Sequence, residues 1–93
     1  MAFDPERPYR RSPGVALRPE PFGALAYDFR TRRLSFLKTP TLVEVVRTLE
    51  DQPSVHATLE AAAVPTAQRA AYLGALAGLA EAGTIEPRRE GAG

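Results

Sequence analysis

The chain has no cysteine. That excludes disulfides, thiolate-held zinc, iron–sulfur clusters and cysteine nucleophiles, and it fits a reducing cytoplasm, which is the expected location. The only histidine, His56, sits between Val55 and Ala57 on a helical stretch, where a surface or core-edge role outweighs that of a general base. No metal-ligand spacing, glycine-rich phosphate loop or nucleophile elbow is present. An enzyme is therefore not expected, nor a cofactor or metal of its own. No run approaches the ~18 apolar residues of a membrane span, and the N-terminus offers acidic and prolyl residues rather than the apolar stretch of a signal peptide. An excess of charge is lacking too. The formal net charge of +1 is too near neutral to imply a polyanionic partner by itself.

What is there reads as one small α+β domain. A chain of 93 residues buries roughly 60–65% of its unfolded surface, enough for a modest core. The 44% hydrophobic and 25% charged fractions are those of a globular chain rather than a disordered one. Residues 1–14, with three prolines and three arginines, read as an irregular arm. Val15–Arg18 is a short strand that Pro19-Glu20-Pro21 should end. Phe22–Phe29 is a second strand, with Leu25, Tyr27 and Phe29 alternating against Ala24, Ala26 and Asp28, and Asp28–Arg32 is the turn. Arg33–Leu37 is a third strand, with Leu34 and Phe36 on one face and Ser35 and Leu37 on the other.

The period then changes. Thr39 can cap a helix whose first position suits Pro40, and Leu42, Val45, Val46 and Leu49 form one apolar stripe to about Glu50. Ser54 caps a second helix, with Val55, Leu59 and Ala62 facing inward. Thr66 caps a third that runs to Ala82, with Gly83 suited to a left-handed exit. Thr84–Glu86 is a brief final strand, and 88–93 a frayed tail. The domain proper is then 15–87. Three short strands followed by three helices make a small antiparallel sheet with helices on one face.

Two features invite a functional reading. The third strand, if nothing pairs with its outer side, offers unsatisfied N–H and C=O groups that another peptide can extend. Helix three is free of charge from Ala70 to Ala80, with Tyr72, Leu73, Leu76, Leu79 and Ala80 on one face and Gly74 and Gly78 opposite. Either part of that surface faces a partner, or it is an alanine-rich exposed helix of no special meaning. Arginines at 7, 10, 11, 30, 32 and 33, with Lys38 beyond, either solvate loops or form a positive rim for an acidic peptide. A winged-helix DNA-binding regulator is the alternative. It is weakened because the would-be recognition helix offers only Arg69 after Gln68.

The run FGALAYDFRTRRLSFLKTPTLVEVV, the helix ending in LAEAGTI and the N-terminal FDPERPYR resemble the mycofactocin-system branch of the PqqD-like peptide chaperones, also called RiPP recognition elements. The resemblance implies a winged-helix-like domain in which a leader peptide adds as a fourth strand and is clamped by the third helix. On this chain it implies a strand site at Arg33, Leu34, Ser35, Phe36, Leu37 and Lys38, and a clamp at Arg69, Tyr72, Leu73 and Leu76. The implied partners are a precursor peptide (MftA-like) and a radical SAM maturase (MftC-like) that carries the catalysis and its clusters, with no nucleic acid and no membrane. Each net hydrogen bond contributes only about 0.5–1.5 kcal/mol. Useful affinity then needs apolar burial, from Leu34 or Phe36 on one side and Leu73 or Leu76 on the other. An open edge also admits self-pairing, so a monomer or an edge-paired or swapped dimer is expected.

Overall fold

Small residues on one side of a strand invite a helix to lie against it, and this is how the molecule is built. A computed structural model describes residues 3–88. The elements run β1 (Tyr9–Arg11), β2 (Val15–Glu20), β3 (Gly23–Asp28), β4 (Arg33–Leu37), α1 (Pro40–Thr48) continued by a 3-10 turn at Leu49–Asp51, α2 (Val55–Ala61), α3 (Thr66–Glu81) and β5 (Ile85–Pro87). β2, β3 and β4 form an antiparallel sheet in that order. The expected α+β arrangement, a three-stranded antiparallel sheet followed by three helices, is the arrangement observed.

Ala24 and Ala26 on β3 are fully buried, together with Leu37 of β4, which pairs with Ala24. Methyl-sized side chains let α1 approach, and Leu42, Val45 and Val46 fill the space from the helix side. Thr39 caps α1 through its hydroxyl, which accepts from Leu42 N at 3.0 Å, and Pro40 occupies the first turn. Val55 and Leu59 of α2 and Leu76 and Leu79 of α3 close the core. Gly23 is required at the β2–β3 turn. Its φ is +157°, and a Cβ there would collide with the carbonyl oxygen of Leu37.

Four local expectations are corrected. The stretch read as an irregular arm supplies β1, which pairs antiparallel with β5 at the far end of the chain. Tyr9 is only 3% exposed and packs on Phe3 with ring centroids 5.0 Å apart, so burying one aromatic ring holds the segment. Ser12 reinforces it, its N–H donating to Thr84 O at 3.0 Å and its hydroxyl to Gly83 O at 2.6 Å. β2 runs through Pro19 to Glu20; a proline is tolerated because β2 is an edge strand. Helix α3 takes Pro65, not Thr66, as its N-cap residue, without a side-chain cap. Arg88, expected to fray, is held: its N–H donates to Pro8 O at 2.9 Å and its guanidinium to the carbonyls of Leu49, Glu50 and Gln52. The rest of the expected tail, 89–93, lies outside the described residues.

Candidate functional site

The three-stranded sheet has two edges, and the backbone makes them unequal. Phe29 N donates to Gly14 O at 2.9 Å. Hydrogen bonding alternates along an antiparallel ladder, so Tyr27 and Leu25 bond towards β2, and Asp28, Ala26 and Ala24 towards β4. Their partners Arg33, Ser35 and Leu37 therefore bond inward. Leu34 and Phe36 turn their N–H and C=O groups to the open side of β4. On β2 the outward positions are Val15, Leu17 and Pro19. Val15 N already donates to Ser12 O at 3.0 Å, and Pro19 has no N–H. One edge is thus blunted and the other keeps its donors.

Beside the open edge runs a groove of about 500 Å³. Ser35, Phe36 and Lys38 form its strand wall, and Leu42, Ala75, Gly78 and Leu79 its helical wall and floor. It continues into a recess of about 160 Å³ bounded by Thr39, Leu42, Ala71, Tyr72 and Ala75. Two polar bridges tie the strand side to α3 and its exit. The Thr39 hydroxyl lies 3.1 Å from the Tyr72 hydroxyl, and the Ser35 hydroxyl 3.4 Å from that of Thr84. The α3 wall is built of small residues, Ala71, Ala75 and Gly78, and a Cβ added at Gly78 would meet nothing within 4 Å. A second hollow, about 390 Å³, lies by the blunted edge between β2 and α1, with Arg11 and Arg47 at its lining.

The residues expected at the site are distributed as follows. Arg33 to Lys38 are continuous along β4 and its end. Leu37 is fully buried and Ser35 half-buried, facing the helices; Leu34 and Phe36 are exposed on the opposite face of the sheet. Tyr72 lines the recess. Leu76 is fully buried in the core and Leu73 packs against it, and neither lines the groove or the recess. Arg69 turns back to the helix start, where its Nε donates to Val64 O at 3.3 Å. Ala71, Ala75, Gly78, Leu42 and Thr39 were not singled out from the sequence as groove residues. The signal for the first three was their size: small side chains at i, i+4 and i+7 on one side of α3.

The site's electrostatics are mostly those of exposed cations. At the hairpin end Asp28 is buried and accepts from Arg30 N (2.9 Å), Nε (3.2 Å) and NH2 (3.2 Å). The Arg30 guanidinium holds the Asp28 carboxyl below its usual range, and Asp28 raises Arg30 in return. Among the described residues, Arg32, Arg33 and Lys38 have no carboxylate within ion-pair distance. No described helix is long and apolar enough to cross a membrane.

An open strand edge with a groove and a helix beside it defines a class: small α+β domains whose sheet can accept an added strand. The family model described as the peptide chaperone MftB family matches residues 8–86. Proteins named peptide chaperone MftB from Mycobacterium ulcerans and Mycobacterium tuberculosis are 51% and 48% identical over 94% of this chain and 80% of theirs. One from Mycolicibacterium smegmatis is 49% identical over 94% of this chain and 85% of its own. The chain belongs to the peptide chaperone MftB family, a family of chaperones and not of enzymes. No solved structure gave a significant match.

Proposed function

We propose that the chain binds the leader of a mycofactocin-type precursor peptide (MftA-like) as a fourth strand along β4 and holds it for a radical SAM maturase (MftC-like), in the cytoplasm. The observation that carries the reading is the asymmetry of the sheet: the edge that keeps its donors is the one beside the groove under α3. Leader backbone pairs with Leu34 and Phe36, and one row of its side chains enters the groove against Leu42, Ala75, Gly78 and Leu79. Arg33 and Lys38 bracket the strand and attract an acidic leader. Tyr72 closes the recess at one end. Leu73 and Leu76 act indirectly, by seating α3 at the height that leaves the groove open.

A DNA-binding role is disfavoured by α3, whose single cation, Arg69, is bonded to its own helix start. Titration calorimetry of the full chain with a synthetic cognate leader tests the proposal. Binding at micromolar Kd or tighter is expected (about −8 kcal/mol). A folded chain that gives no heat at leader concentrations well above that range refutes it.

A further inference from the structure

The face of the sheet turned away from the helices is apolar, which a domain of this size does not need for its core. Phe22, Phe29, Leu34 and Phe36 are 40%, 66%, 50% and 54% exposed. They are contiguous. Phe22 stacks on Phe36 with centroids 6.0 Å apart, Phe36 and Leu34 lie opposite Leu25 and Tyr27, and Tyr27 meets Phe29 edge-on at 4.7 Å. Together the four expose roughly 400 Å², the range of the largest apolar patch on a soluble domain, which is often functional. Around it stand cations: Arg18 opposite Leu25 on β2, Arg32 at the hairpin end, and Lys38 past the end of β4. Glu20 pairs with Arg18 at 3.3 Å, and Asp28, opposite Arg33, is buried on the helix side of the sheet.

We infer that this outward face docks a second protein whose matching patch is apolar and rimmed by carboxylates. A second copy of the chain does not fit as well, because a two-fold contact would set one cationic rim against another. Apolar burial supplies affinity, while the rim steers encounter and sets orientation. The face lies on the strand whose edge is open, so a protein docked there sits directly beside whatever occupies the groove. The inference rests on the proposed function only for its probe, the MftC-like maturase.

The test measures binding of the full chain to the purified maturase by interferometry, with leader affinity measured in parallel. Variants avoid β4 and the groove: Phe22→Ser with Phe29→Ser, and separately Arg18→Glu. The double variant should weaken maturase binding on the order of tenfold or more. Arg18→Glu should slow association and reduce its salt dependence. Leader affinity should stay within about twofold in both. A wild-type chain that binds leader but not maturase overturns the inference, as does a double variant that binds maturase unchanged. A wild-type dimer in sedimentation that the double variant abolishes would assign the face to a second copy instead. If the maturase result holds while leader binding fails, the docking face stands and the proposed function falls.

Discussion

Replacing Gly78 by leucine fills the groove from the helix side without touching the strand. The position tolerates it: a Cβ meets nothing within 4 Å, and φ is ordinary for a helix. Glycine in a helix interior costs about 0.8–1 kcal/mol relative to alanine, and leucine is nearly as good a helix former. The variant should therefore fold and be more stable by roughly 0.6–1 kcal/mol, a rise in Tm of about 2–8 °C for a domain of this size. Its side chain takes the space of one leader side chain. Losing burial of one large apolar side chain costs about 1.5–3 kcal/mol, or roughly 10- to 150-fold in Kd. Gly74→Ala is the control. It also meets open space, lines neither the groove nor the recess, and should raise Tm similarly with leader affinity unchanged. Calorimetry with the leader and thermal denaturation read both quantities. A more stable Gly78→Leu protein that binds leader as tightly as wild type would refute the placement of the peptide under α3.

Three further outcomes follow from the same geometry. Leu34→Pro removes an outward donor and should weaken leader binding about 2- to 13-fold with the melting curve little changed. Ser35→Pro removes an inward one and should lower Tm; the reverse pattern would invert the assigned ladder. Asp28 is held below its unfolded value by Arg30, so its contribution to stability is present above about pH 4. It is lost as pH falls through the lower folded value, and Asp28→Asn should flatten that part of a denaturation-versus-pH profile. Arg88→Ala releases the carbonyls at the end of the 3-10 turn and should cost about 1.5–3 kcal/mol in chemical denaturation.

Much of the fold is legible in the sequence because the two hydrophobic periods are cleanly separated at Thr39. Both sides of β3 are apolar, however, with Ala24 and Ala26 against Leu25 and Tyr27. Alternation alone does not say which side meets the helices. Size decides it: the alanines admit α1, and the larger side chains are turned outward with Leu34 and Phe36. The final strand is legible within one residue of its place, but its partner β1, three residues at the opposite end of the chain, carries too little periodicity to be seen. At the candidate site the strand is readable from its capped exit into α1. The helix side is legible only at Tyr72, which lines the recess, because the other large residues point to the wrong places. Leu73 and Leu76 serve the core, while the wall of the groove is made of what is small, Ala71, Ala75 and Gly78.

The central claim is that β4 keeps an open ladder which a leader peptide completes. Site-resolved amide hydrogen exchange, with and without leader, tests it most directly. In the free chain Ser35 and Leu37 amides should be protected and those of Leu34 and Phe36 should exchange quickly; leader should protect the latter pair and leave β2 unchanged. Slow exchange at Leu34 and Phe36 before any leader is added, or protection arising at Leu17 instead, would contradict the account.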